Sequence, residues 1–129
     1  MAGTYLLDTN AAIALNAGDP VLRDKLQEAD EVFIPAIVLG ELYFGAEKSG
    51  RAEENRQRVD GLAARWTVRD CDRVTAQHYG RIKNRLRTQG QPIPENDIWI
   101  AALAQQHDLV LVTRDQHFNH VEGLKRESW

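Results

Sequence analysis

Leu109-Val110-Leu111-Val112-Thr113-Arg114-Asp115 is the stretch on which the reading of the fold turns. Residues 109–112 are apolar strand formers with no polar alternation. Such a run suits a central parallel strand covered on both faces. Asp115 stands just past its end, and in open parallel sheets sites form beyond the carboxyl ends of the strands. Working outward, Thr4-Tyr5-Leu6-Leu7 reads as another strand, and Asp8 follows it in the same way. Further strands are expected at 31–34, ended by Pro35, and at 66–68. Between them lie helical patterns: 9–17, broken by Gly18-Asp19-Pro20; 21–29, with Val21, Leu22, Leu26 and Ala29 on its apolar side; 36–48, stopped near Gly50; and 51–65, highly charged. Asp72 opens a long helix, 72–88, with Gly90 as its stop signal; 91–95 is a proline-punctuated loop, and 98–107 is helix again. Strands alternating with helices imply right-handed crossovers. The expected fold class is α/β, a three-layer α/β/α sandwich around a central, mainly parallel sheet. No linker, repeat or low-complexity stretch divides the chain, so residues 1–129 are expected to form one domain.

The composition agrees with a water-soluble globular protein: 43% hydrophobic and 27% charged residues in a chain of 129. No apolar run approaches the roughly 20 residues needed to cross a bilayer. Met1-Ala2-Gly3-Thr4 carries no basic region and no long apolar segment, which argues against a signal peptide. The single cysteine, Cys71, excludes an internal disulfide and sits in no nucleophile motif. Together these features favour the cytoplasm. The formal net charge of −3 argues mildly against a nucleic-acid partner. That argument weakens if several acids share one pocket, because one divalent cation there changes −3 to −1.

Four carboxylates invite that possibility. Glu41 shares a helix face with Ile37, Val38, Phe44 and Gly45, so it projects from the apolar side, where an unpaired charge is costly. Its alternatives are a buried ion pair or a helix rotated to wet it. Asp97 is followed at helical spacing by Ile100, Ala101 and Ala104, and so extends a buried stripe. It also reads as a helix cap, unless Asn96 takes the cap and leaves it free. Asp8 and Asp115 each follow a strand, and each has a cap or turn reading too. The combination decides, since an α/β sheet can bring all four into one crevice. Like charges so gathered do not all stay ionised without a cation. An all-oxygen site of that kind suits Mg²⁺ or Mn²⁺.

Leu7-Asp8-Thr9-Asn10, the helical Glu41, Asn96-Asp97-Ile98-Trp99-Ile100-Ala101-Ala102 and Leu111-Val112-Thr113-Arg114-Asp115-Gln116-His117-Phe118 resemble, in order, the four motifs of PIN domains. Order and length are similar to the VapC-type toxins of bacterial toxin–antitoxin pairs. The resemblance covers nearly the whole chain and implies an endoribonuclease that uses Mg²⁺, with Mn²⁺ as substitute, to hydrolyse RNA to products with a 5′-phosphate. It implies that Asp8, Glu41, Asp97 and Asp115 are the catalytic, metal-holding acids, with Asp8 and Asp97 as the foremost direct ligands. The family's hydroxyl positions fall on Thr9 and Thr113, and Asn10 and Asn119 are candidate supporting residues with local-cap alternatives. The resemblance also implies a homodimer and a cognate antitoxin whose arm places an Arg or Lys among the carboxylates. A housekeeping RNA-processing nuclease, or a non-catalytic metal- or RNA-binding module, are the alternatives.

Other signals are weaker. Arg114 neighbours the acids in sequence and is a phosphate candidate. Arg81, Lys83, Arg85 and Arg87 crowd one helix and suit either RNA phosphates or solvent. Glu95, two residues before Asp97, reads as an exposed loop acid, with a reach to the site's edge as its alternative. His78, His107, His117 and His120 show no zinc framework, and His117 reads as a surface residue, with an assisting role near Asp115 as its alternative. Trp66, Trp99 and Tyr79 read as packing residues. Rival functions fail on specific residues. A haloacid-dehalogenase-like phosphatase needs a second Asp where Asn10 stands. Gly45-Ala46-Glu47-Lys48-Ser49-Gly50-Arg51 only grazes a phosphate-binding loop and follows a helix. A receiver domain needs a phosphoacceptor Asp that Val32-Phe33-Ile34-Pro35 lacks.

Overall fold

The computed structural model describes residues 3–129; Met1 and Ala2, part of the stretch read above for a leader, lie outside the described residues. The chain begins with β1 (Thr4–Leu7), α1 (Thr9–Asn16), α2 (Pro20–Gln27) and β2 (Glu31–Pro35). It continues through α3 (Ala36–Glu47), α4 (Ala52–Arg65), β3 (Thr67–Arg69) and α5 (Arg73–Thr88). Next come α6 (Glu95–Gln106), β4 (Val110–Val112), a 3-10 turn (Gln116–His120) and β5 (Arg126–Glu127). The strands form one sheet in the order β3-β2-β1-β4-β5, and every neighbouring pair is parallel. This is the expected three-layer α/β/α sandwich. Among the described residues no helix is long and apolar enough to cross a membrane.

The apolar run at 109–112 earns its reading. Leu111 and Val112 are fully buried, as are Leu6 and Leu7 of β1 beside them and Ile34 of β2. Leu6 is in register with Phe33 on one side and Leu111 on the other. The order also locates the site. From β1 the chain steps through α1 and α2 to β2, then through α3 and α4 to β3; through α5 and α6 it returns to β4 on the other side of β1. Right-handed crossovers therefore send α1–α4 to one face and α5–α6 to the other. The gap between the carboxyl ends of β1 and β4 is the topological switch point, where such sheets form their crevice.

Several expectations shift. α6 begins at Glu95, so the loop is shorter than 91–95, and its N-cap is Pro94, not Asn96. Pro94 suits that place because its fixed φ presets the turn and the position needs no donor. Val21 and Phe44, assigned from periodicity to apolar faces, are 59% and 65% exposed. Helical spacing identifies a face, but only packing against α1 and α4 decides how wide its buried part is. β5 has no counterpart in the sequence reading. Its two residues are held by the backbone: Leu111 N–H donates to Lys125 O and Thr113 N–H to Glu127 O, both at 2.9 Å.

The helix that delivers the chain into β4 ends in an unusual way. Asp108 N–H donates to Gln105 O at 3.3 Å and Leu109 N–H to Ala104 O at 2.8 Å, the paired bonds of a Schellman stop. Its left-handed position is Asp108, at φ 54°, where α1 and α5 use Gly18 and Gly90. An aspartate pays a left-handed penalty that glycine does not. Its ion pair with Lys125, at 2.8 Å, is exposed on both sides and offsets little of this. Asp108→Gly is expected to stabilise the protein by about 0.5–1 kcal/mol, raising Tm by a few degrees in a thermal melt.

Candidate active site

Asp8 leaves β1 in an extended conformation and caps α1: its Oδ1 accepts Ala11 N–H at 2.8 Å. The cap reading is therefore correct, and it does not exhaust the residue. Oδ2 accepts the Thr113 hydroxyl at 2.5 Å, across the seam between β1 and β4. Asp8 is 3% exposed. Burial pushes its carboxyl above the ordinary value; the Thr113 and Ala11 hydrogen bonds oppose the shift, while Asp115 and Glu41 add to it.

Asp115 follows β4 and starts the 3-10 turn, its Oδ1 accepting His117 N–H at 2.9 Å. Its own N–H donates to Thr113 Oγ1, again at 2.9 Å. Thr113 thus joins both strand ends through one hydroxyl. Glu41, in the second turn of α3, accepts the Thr9 hydroxyl from the first turn of α1 at 3.0 Å. Asp97 lies in the first turn of α6 and makes no capping bond. Two helix N-termini, those of α1 and α6, therefore face the same acids and favour negative charge there.

Thr9, Glu41, Asn96, Asp97, Asp115 and His117 line an open cavity of about 400 Å³, with Asn10 at its rim. Asp8 lies beneath, close enough to act electrostatically on Asp97. Asp97 shows the crowding most strongly. Its carboxyl is pushed up to about 6, first by burial, then by Asp115, with Asp8 and Glu41 adding and His117 opposing. His117 is the residue that sequence reasoning underrated. Its Nδ1 lies 3.0 Å from Asp115 Oδ1 and 3.5 Å from Asp97 Oδ2. The signal available was its spacing, two residues beyond Asp115 in a turn that folds it back.

Other candidates go elsewhere. Arg114 turns away from the cavity: its guanidinium donates to the Trp129 carbonyl and stacks on that ring, 4.2 Å from its centroid. Asn119 bonds Gln116 and Arg126 in a neighbouring cleft. Glu95 reaches the cavity edge, but its carboxylate is held by the Tyr79 hydroxyl at 2.8 Å and by Lys83 at 2.5 Å. Arg85 of the basic helix is likewise paired, with Glu122 at 2.7 Å. Tyr79 and Trp99 stack on each other with centroids 4.1 Å apart, as packing residues do.

Oxygens of Asp97 and Asp115 and a nitrogen of His117 all lie within 4.8 Å of one another. Hard carboxylate donors so close, with the proton affinity of Asp97 raised, fit a small divalent cation.

A family model, "PIN domain", matches residues 5–124. The chain belongs to the PIN-domain family. "Ribonuclease VapC2" of Haemophilus influenzae is 38% identical over 97% of both chains, and "tRNA(fMet)-specific endonuclease VapC" of Shigella flexneri is 34% identical over the same share. Among solved structures, DNA-bound VapBC from Salmonella typhimurium superposes with a TM-score of 0.92 at 34% identity, covering 98% of each chain. VapBC2 from Rickettsia felis, bound to a promoter fragment, gives 0.89 at 28% identity over 98% of each. As a PIN domain, the chain carries an acidic cluster of the type that divalent-metal-dependent nucleases use.

The crowding has a measurable cost. In the metal-free fold the Asp97 carboxyl at about 6 exceeds its unfolded value near 3.8. Between those two values the folded chain holds the extra proton, so this group makes stability fall as pH rises from about 4 through 6. Asp97→Asn lacks that term. In EDTA it should melt together with wild type near pH 4 and be more stable by on the order of 1 kcal/mol at pH 7. Mg²⁺ should reverse the ranking: at ten times its dissociation constant wild type gains about 1.4 kcal/mol, or a few degrees. Thermal melts of both proteins with EDTA and with Mg²⁺ check this. A wild-type midpoint that neither Mg²⁺ nor Mn²⁺ moves at millimolar concentration contradicts a shared cation pocket.

Proposed function

We propose that this chain is a Mg²⁺- or Mn²⁺-dependent endoribonuclease that hydrolyses RNA phosphodiester bonds, and that it is the toxin of a VapBC-type toxin–antitoxin pair. The observation that carries the reading is the meeting of Asp8, Glu41, Asp97 and Asp115 at the switch point, with Asp97 raised to about 6. Full-length relatives named as ribonucleases and solved toxin–antitoxin complexes of the same fold support it.

In this reading Asp8, Asp97 and Asp115 hold the cation, and Glu41 completes the acidic wall. Bound there, the ion supplies an activated water and polarises the phosphodiester. The chain's own residues set the geometry. Thr113 fixes the Asp8 carboxylate and the Asp115 backbone together, and Thr9 fixes Glu41. Each acid keeps an oxygen lone pair beyond those bonds, so holding and ligating are compatible. His117 bridges Asp97 and Asp115 and steadies both before substrate arrives. Asn10 and Asn96 offer amides at the rim to sugar or base edges.

The working unit is a cytoplasmic homodimer silenced by its antitoxin, whose cationic side chain competes for the same carboxylates. Expression alone should slow growth, and co-expression of the adjacent partner gene should relieve it. A monomer without effect on growth favours a housekeeping RNA-processing nuclease.

Asp8→Asn and Asp97→Asn should each lose at least 100-fold in RNA cleavage, on the order of what one polar catalytic contact contributes, while circular dichroism stays that of the wild type. Cleavage near the wild-type rate by either rejects that residue's role. Because the nucleophile is water, an RNA with a 2′-deoxy sugar at the cleaved position should still be cut. If it binds and is not cut, the 2′-hydroxyl is the nucleophile and the hydrolytic mechanism is wrong.

A further inference from the structure

Asp115 is a wall shared by two spaces. On one side is the carboxylate cavity; on the other is an open cleft of about 540 Å³ beyond the carboxyl ends of β4 and β5. Thr113, Arg114, Gln116, Asn119, Arg126 and Glu127 line this cleft with Asp115. Its charges are unbalanced. Glu127 is neutralised by Lys25 of α2 at 2.7 Å, and Asp115 is engaged by His117 on the cavity side. Arg114 is engaged at Trp129 and lies close enough to Asp19 to act on it electrostatically. Arg126 bonds only the neutral Asn119 side chain. Among the described residues its guanidinium has no side-chain carboxylate within ion-pair distance, whereas Lys83 and Arg85 on α5 each have one. It retains N–H groups that no protein acceptor uses.

A polyanion approaching four carboxylates in a chain of net charge −3 needs local cations near the point of attack. The opposite wall of the cavity, at Glu95 and Asn96, carries no free cation, since Lys83 is occupied by Glu95. The way out past Asp115 leads to the unpaired Arg126 fork, whose planar donors match phosphate oxygens.

We propose that this cleft seats a phosphate of the RNA strand adjacent to the one being cleaved, with Arg126 as the positioning residue that fixes which bond lies over the carboxylates. The inference rests on the reading of the chain as an RNA-cleaving nuclease.

Arg126 is the residue to test, because Arg114 also secures the chain at Trp129. Binding of a fluorescent single-stranded RNA is measured by anisotropy at several salt concentrations, in the full chain carrying Asp97→Asn to prevent cutting. Arg126→Ala should weaken binding about 5- to 20-fold and reduce the slope of log K against log salt by about 0.7, one phosphate contact on a single strand. Arg126→Lys should recover part of both. Arg87→Ala, on the far basic helix, should change binding less than twofold. Asn119→Ala breaks the same side-chain bond as Arg126→Ala without removing the charge, and should leave the salt slope unchanged. Equal effects of Arg126→Ala and Arg87→Ala, or of Arg126→Ala and Asn119→Ala on the slope, overturn the proposal. In the otherwise wild-type chain, Arg126→Ala should raise KM and spread cleavage of a defined RNA over neighbouring bonds. Normal cleavage with KM unmoved overturns the cleft and leaves the nuclease standing. An Arg126-dependent salt slope in a chain that cuts no RNA does the reverse.

Discussion

One hydroxyl ties the site together. Thr113 donates to the buried carboxylate of Asp8 and accepts the backbone N–H of Asp115, so the ends of β1 and β4 are locked to each other at the seam of the sheet. A buried carboxylate left without donors is expensive, and a charge-assisted hydrogen bond contributes roughly twice what a neutral one does. Thr113 and the Ala11 N–H between them hold Asp8 in place, and the N-terminus of α1 adds its dipole. The seam can hold a carboxylate because parallel strands end there together and their helices leave for opposite faces. Asp97 and Glu41 then arrive from α6 and α3, on either side of that seam.

The same arrangement stores repulsion. Thr9 and Thr113 bond individual acids but do not cancel their charges, and Asp97 and Asp8 answer by holding their protons more tightly. His117 is the one basic side chain within reach among the described residues, and it is half exposed at 52%. A fold that concentrates acids without matching bases is less stable than it could be. The tension is released by whatever positive charge enters the cavity. Under the proposed function, a divalent cation and a basic side chain of the antitoxin would compete for that one place.

Much of this was legible in the chain. The unbroken run at 109–112 fixes a buried parallel strand, and Asp8 and Asp115 declare themselves by following strands. Glu41 and Asp97 declare themselves by extending apolar stripes. What was not legible depended on contacts distant in sequence. Arg126 and Glu127 form a strand only because β4 offers free backbone groups at its edge, and nothing in their side chains announces it. His117 looks like any surface histidine until the turn after Asp115 carries it over Asp97. Arg114 looked like the phosphate contact because it adjoins Asp115, yet along a strand end successive side chains point opposite ways, and it faces Trp129. Phe44 shares a helical face with Glu41, but α4 covers only part of that face, and Phe44 stays in solvent.

The central claim is that the four acids act as one cation site. The most direct test is titration of the purified chain with Mn²⁺, following free Mn²⁺ by electron paramagnetic resonance at neutral pH. The account predicts saturable binding that Mg²⁺ displaces, and that Asp97→Asn and Asp115→Asn each largely abolish while the fold survives. No saturable binding, or binding that both variants keep at full strength, would contradict it.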